Sequence, residues 1–290
     1  MHPTPRPAAA TAAPLAPIYL SHGSPMTALE PGAAGPFWQT LGRQIDAQGG
    51  PPRAILAISA HTLTREPVLM AAARHSTIHD FSGFPEALYR LRYDAPGAPA
   101  LAQRVAALLQ GAGLPAHVLP EGGLDHGIWS PLRFAWPEAD IPVLPLGFPP
   151  DWSPARLFAL GQALAPLAAE GVLIYGSGSL THNLRLVFGA RAGGMPALDA
   201  PEIAESAAFR HWFAERSAAG TDSDWDALLD YRRQAPHAAL MHPTDEHLLP
   251  FYVAAGAAGR VPARRLHDSL TYGCLGMDAY AFGPQAERLA

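Results

Sequence analysis

Short apolar runs that end in small polar residues recur along the chain. Residues 18–20, Ile-Tyr-Leu, pass into Ser21-His22-Gly23-Ser24-Pro25-Met26. Residues 54–60 run apolar to His61, and residues 172–175 lead through a glycine- and serine-rich stretch to His182. Uninterrupted apolar runs of this length, closed by turn formers, are the mark of strands buried on both faces. Between them lie amphipathic segments. Helices are predicted over 35–48, 86–92, 99–110, 153–169 (Ser153 as cap, Pro154 at its first position), 202–219, 224–233 and 245–258. Further strands are predicted at 68–73, 116–119, 141–146, 264–270 and 273–282, with loops at 75–85, 122–129, 189–201 and 236–244. Alternation of this kind predicts a single α/β domain of three layers. Its central sheet, largely parallel or mixed, has helices on both sides. Residues 1–16, rich in Ala and Pro, read as a flexible tail, and 17–285 as the domain.

The chain has 290 residues, 49% of them hydrophobic and 16% charged, enough for a large core. Its net charge of -5 and the lack of a basic stripe argue against nucleic-acid binding. All 20 basic residues are arginine, which excludes Schiff-base lysine chemistry and a lysine-bearing phosphate loop. Cys274 is the single cysteine, so no internal disulfide or thiolate zinc cluster can form, in keeping with a cytoplasmic location. No segment is long and apolar enough to span a membrane, and residues 1–16 lack the pattern of a signal peptide. The expected assembly is a monomer or small homo-oligomer.

The chemistry lies in the 13 histidines. His2, His75, His117, His211, His237 and His267 lack polar company and read as surface or core residues. His22 and His61 each end a predicted strand, and ligands of α/β sheets bind beyond the carboxyl ends of strands. The two could meet at one metal, or serve as structural histidines. The segment Met241-His242-Pro243-Thr244-Asp245-Glu246-His247 offers a third ligand. Thr244 is a plausible cap, which would place Glu246 and His247 in the first helical turn, and spacing does not choose between them. His126, within Asp125-His126-Gly127, and His182, before Asn183, suit proton transfer. Gly176-Ser177-Gly178-Ser179-Leu180 is neither a nucleophile elbow nor a dinucleotide loop.

Taken in order, Ser21-His22-Gly23-Ser24-Pro25-Met26, Ser59-Ala60-His61, Ile78-His79-Asp80-Phe81 with Gly83-Phe84-Pro85, Leu124-Asp125-His126-Gly127, Gly178-Ser179-Leu180-Thr181-His182-Asn183 and Pro243-Thr244-Asp245-Glu246-His247 form a set. The set resembles the LigB-type, class III extradiol ring-opening dioxygenases, and most closely their 4,5-DOPA extradiol dioxygenase subgroup. The likeness runs over about residues 17–282. It implies an α/β domain holding non-haem Fe(II), with O2 as co-substrate and a small aromatic diol as substrate. His22, His61 and His247 match the metal ligands, with Glu246 as the alternative third ligand and His242 a weaker one. His182 matches the acid–base histidine and His126 a second active-site histidine. The product implied is a muconic semialdehyde-type acid. Zinc could occupy the same site in purified protein. The same ligands would also suit a zinc hydrolase, and the fold would also suit a non-catalytic binding protein. Arg90, Arg92 and Arg185 lie near the expected loops as possible partners for a charged substituent.

Overall fold

A computed structural model describes residues 14–189 and 195–289. The strands are β1 (Ile18–Ser21), β2 (Ala54–Ser59), β3 (Val68–Met70), β4 (Ser76–Thr77), β5 (His117–Leu119), β6 (Gly123–Leu124), β7 (Val143–Gly147), β8 (Val172–Gly178), β9 (Ala263–His267), β10 (Leu270–Thr271), β11 (Leu275–Gly276) and β12 (Ala279–Phe282). Eight of them form one sheet in the order β5-β3-β7-β2-β8-β1-β12-β9. The centre, β7-β2-β8-β1, is parallel, whereas β3 joins β7, and β12 joins β1 and β9, antiparallel. The sheet is therefore mixed, as the α/β pattern predicts. Two small pairs, β4 with β6 and β10 with β11, lie apart from it.

The apolar runs are continuous because both faces of the central strands are covered. Tyr19, Leu56, Ile58 and Ile174 point into one core, beneath helices Pro99–Gly111, Pro154–Leu164, Ala204–Ala219 and Leu249–Ala258. Ile18, Leu20, Ile55, Ala57, Leu173 and Tyr175 point into the other, beneath helices Ala34–Asp46 and His126–Ala135. Successive side chains thus alternate between two cores. Parallel order brings the carboxyl ends of β1, β2 and β8 side by side, with Leu20 opposite Ser177 and Ser59 opposite Ser177. His22 and His61 follow directly.

Several expectations change. Residues 122–129 are not a loop: β6 ends at Leu124 and a helix starts at His126, capped by the Asp125 side chain, which accepts from the Ile128 N–H. Gly127 and Pro131 hide that helix from a propensity reading, since Pro131 lies inside it, past the first turn, where it forgoes one backbone hydrogen bond. The last site segment is not a first helical turn. Helix Leu249–Ala258 begins after it, with Pro250 in its opening turn, and residues 243–248 form turns ahead of it. Short helices at Ala238–Met241 and Pro166–Ala169 replace, respectively, part of a loop and the end of a longer helix broken at Pro166. Residues 1–13 of the expected tail lie outside the described residues. Leu15 and Ala16, its last members, are buried, and the Leu15 N–H donates to the Ala168 carbonyl. The packed domain therefore starts before residue 17. Residues 190–194 of the expected 189–201 loop are also outside the described set.

Candidate metal centre

Five imidazoles converge beyond the carboxyl edge of the sheet. The ring centroids of His22 and His61 are 5.0 Å apart, those of His61 and His247 5.0 Å, and those of His22 and His247 5.5 Å. His126 lies 4.1 Å from His61. His182 stacks on His247 at 3.4 Å with ring planes 10° apart. Ligand atoms of His22, His61 and His126 all lie within 4.8 Å of one another, as do those of His182, Glu246 and His247.

Hydrogen bonds orient the rings. The Ser177 hydroxyl gives its one proton to the Gly127 carbonyl at 2.5 Å, so it can only accept from His22 Nδ1–H, at 2.9 Å. His22 Nε2 is left as a bare lone pair. It stands 3.1 Å from His61 Nε2. His61 Nδ1 lies 3.5 Å from the Asp80 carboxylate, which is hydrogen-bonded to His126. A proton on His61 Nε2 would make this contact a hydrogen bond, and a cation taking the place of that proton would be held by both nitrogens. His247 Nδ1–H donates to Glu246 Oε1 at 3.0 Å, so its Nε2 is bare as well. Ring nitrogens freed by carboxylate or hydroxyl partners on the opposite nitrogen are how proteins prepare imidazole for metal.

Burial reinforces this. It holds His22 and His247 well below the usual histidine range, aided by the surrounding imidazoles. His61 is pushed down to about 4 by burial and by His126, and His182 to about 3 by burial and by His242. All four are neutral at pH 7, the form that binds metal or accepts a proton.

The supporting residues include two that carried no role in the sequence. Asp80 accepts from the His126 backbone N–H at 2.9 Å and from His126 Nδ1 at 2.8 Å. Burial would raise its pKa, but these His126 contacts outweigh it and hold it below the usual range. Asp125, besides capping its helix, accepts from Ser59 Oγ at 2.7 Å and Thr62 Oγ1 at 2.5 Å. It thereby clasps both sides of His61. The Asp-His-Gly and His-Asp-Phe stretches were the only signals of these two carboxylates. Two glycines are dictated by closeness. A Cβ on Gly127 would lie 2.7 Å from Ser59 Oγ and 3.0 Å from His22 Nδ1, and one on Gly178 would lie 1.9 Å from the His247 carbonyl.

The alternative ligands separate by position. His242 is fully buried, between Phe209 and Tyr231, and its Nε2–H donates to the Leu180 carbonyl at 2.8 Å. It supports the His182 loop and does not reach the cluster's cavity. Glu246 Oε1 accepts from both His247 and Thr244. Arg90, Arg92 and Arg185 are exposed and do not line the cavity. That cavity, about 290 Å³, has the five histidines and Asp80 at its base and Pro25, Phe81, Phe84, Leu184, Phe188 and Leu275 as its wall.

An α/β sheet with neutral histidines gathered at its carboxyl edge defines a class of protein able to bind one divalent metal beside a small-molecule cavity. Residues 16–283 match the family model for the catalytic LigB subunit of aromatic ring-opening dioxygenase. The 4,5-DOPA dioxygenase extradiol of Beta vulgaris is 39% identical, over 91% of this chain and 95% of its own. That of Escherichia coli K12 is 35% identical, over 92% of this chain and 94% of its own. The crystal structure of an uncharacterized Escherichia coli K12 protein superposes with a TM-score of 0.74 at 30% identity, covering 93% of this chain and all of that one. The chain belongs to the LigB family, the class III extradiol dioxygenases. It is an extradiol ring-cleaving enzyme, which sets aside the hydrolase and the non-catalytic binding protein. No helix among the described residues is long and apolar enough to cross a membrane.

Proposed function

We propose that this enzyme opens the ring of a small catechol beside its diol, both atoms of O2 entering a muconic semialdehyde-type acid, with Fe(II) held by His22, His61 and His247. The observation that carries the reading is the approach of the His22 and His61 Nε2 atoms to 3.1 Å in a buried cavity, with His247 within 5.5 Å of both rings. A set of neutral imidazoles suits Fe(II), and zinc as well, so the donor chemistry fits the ion. When bound, the ion would supply Lewis acidity toward the diol oxygens and the redox chemistry of O2.

The remaining work falls to the chain. His182, neutral and next to His247, takes the proton of a catechol hydroxyl on its ring and returns it after ring opening. Asp80 holds the Nδ1–H of His126, which leaves Nε2 as the ring atom that hydrogen-bonds the substrate. The apolar wall excludes water and holds the aromatic ring. Glu246 acts by holding His247 Nδ1–H, not as a ligand. The names of the relatives support a catechol of the DOPA type as the starting point for substrate trials.

The test is anaerobic loading with Fe(II), then oxygen uptake with a panel of catechols, watching for a yellow product. One O2 consumed per ring opened supports the reading. Iron bound at full stoichiometry without uptake on any catechol overturns the substrate class, and failure to bind iron overturns the ligand assignment.

A further inference from the structure

His182 is held differently from the other histidines of the cavity. His22, His126 and His247 each have a side chain hydrogen-bonded at Nδ1, whereas His182 has its stack on His247 and the anchors of its main chain. Its neighbour Thr181 is fully buried. The Thr181 hydroxyl donates to the Cys274 carbonyl at 2.8 Å and accepts from the Gly276 N–H at 2.7 Å, so its donor and an acceptor position both go to the hairpin β10–β11. Those two partners flank Leu275, which lines the cavity. The Ser179 hydroxyl donates to the Thr181 carbonyl at 2.8 Å, and the His182 N–H to the Met241 carbonyl at 2.9 Å. The hairpin is itself fixed. Asp278, fully buried just beyond it, accepts from Arg210 Nε at 2.9 Å and Arg265 Nε at 2.7 Å. Gly276 is dictated by this crowding, since a Cβ there would lie 2.6 Å from the Asp278 carboxylate and 3.1 Å from both Arg210 Nε and Thr181 Oγ1.

We infer that Thr181 is a positioning residue for ring opening: its hydroxyl, clamped by the hairpin, sets where the His182 imidazole stands relative to the substrate hydroxyl. This rests on the ring-opening reading above and deepens it. Thr181 is one peptide unit from His182, so a shift of its main chain carries the ring with it. A misplacement of about 1 Å at a reacting group costs on the order of a hundredfold in rate. Loss of the hydroxyl strands a buried N–H and a buried carbonyl, and the loop relaxes away from the hairpin to relieve them. The hydroxyl and the shape of the side chain are separable. Valine keeps the branched shape and lacks the hydroxyl, and serine keeps the hydroxyl and lacks the methyl group.

The experiment therefore compares Thr181→Val with Thr181→Ser. With Fe(II)-loaded enzyme and a catechol that the unaltered protein turns over, kcat is expected to fall about ten- to a hundredfold in Thr181→Val, with KM and iron stoichiometry within about twofold. Thr181→Ser is expected to stay within about threefold of the unaltered kcat, because the hydroxyl is kept. Heteronuclear NMR spectra of the histidine rings in the Zn(II)-loaded protein, where turnover plays no part, give a second readout. The His182 resonances are expected to move in Thr181→Val and not in Thr181→Ser, with those of His22 and His61 unmoved in both. Should Thr181→Val fail to fold, Thr181→Ala, which crowds nothing, is read in its place. Full kcat without the hydroxyl, or unmoved His182 resonances, overturns this inference alone. So does an equal fall in the valine and serine variants, which marks a packing role, or a fall in kcat that tracks iron content. Unaltered enzyme that takes up no O2 with any catechol overturns the ring-opening reading, and this inference with it.

Discussion

His182 lies flat on His247, close enough to share its surroundings yet outside the three rings that converge most tightly on His61. Its replacement should therefore separate proton transfer from metal retention. His182→Ala is expected to keep full iron stoichiometry while kcat falls about a hundred- to ten-thousand-fold, the range for losing a general acid–base. Metal analysis beside steady-state kinetics checks this, and loss of iron in the variant would make His182 a ligand. Asp80 works one step further back. It fixes both the backbone and the ring of His126. Asp80→Ala is expected to lower kcat about ten- to a hundredfold with iron retained, as for other residues that orient an active-site histidine. If iron content falls in step with activity, Asp80 acts through His61 at 3.5 Å instead.

Among the elements, the helix His126–Ala135 matters most to the site, and its amino end is its working part. Asp125 satisfies the Ile128 N–H and the Ser59 and Thr62 hydroxyls together, joining the helix to the end of β2. Asp125→Ala removes a cap and strands two buried hydroxyls. The expected cost is about 2–4 kcal/mol by urea unfolding, with weaker iron binding because His61 loses its clasp. A loss under about 1 kcal/mol would show that the turn stands without it. On the opposite side, β8 ends in Gly178 because the His247 segment passes directly over it. The Tyr19 hydroxyl and Ser179 N–H both donate to the His247 carbonyl, at 3.0 and 2.9 Å. The third candidate ligand is thus carried by backbone hydrogen bonds to the sheet edge rather than by a helix.

For the whole molecule, gathering neutral histidines in one buried place makes stability depend on pH. In the unfolded chain they take up protons near the ordinary value of 6.5, whereas folded His61 resists to about 4 and His182 to about 3. Across that window the unfolded state binds more protons, so stability is full above about pH 6.5 and falls as the pH drops toward 4. Melting curves of metal-free protein from pH 8 to pH 4 check this, and a Tm that is flat across the window would contradict it. Metal acts in the other direction. At a hundred times its Kd, a bound ion adds about 2.7 kcal/mol at neutral pH, and the gain shrinks in acid because protons compete for the same nitrogens. Chelation should reverse it.

Much of this was legible in the chain itself. Strands covered on both faces must be apolar throughout, so β1, β2 and β8 show as unbroken runs, and the histidines just past them are placed at one edge by parallel order alone. The ordered motifs pointed to the family and to His22, His61, His126, His182 and His247, which the fold brings into one cavity. Other features depend on contacts between residues far apart in sequence, which no local pattern encodes. The helix at His126 was masked by Gly127 and Pro131, and it is set by Asp125 reaching Ser59, 66 residues away. Asp80 finds its role only because β4 pairs with β6 and swings it onto His126, 46 residues on. Adjacent in sequence, Glu246 and His247 could not be told apart as ligands. Their separation into carboxylate support and bare imidazole, and the withdrawal of His242 to the Leu180 carbonyl, come from how the turn ahead of helix Leu249–Ala258 lies across Gly178. Burial patterns are a property of each strand and so are written along the chain; hydrogen-bond partners and the direction of a ring nitrogen are properties of the packed whole.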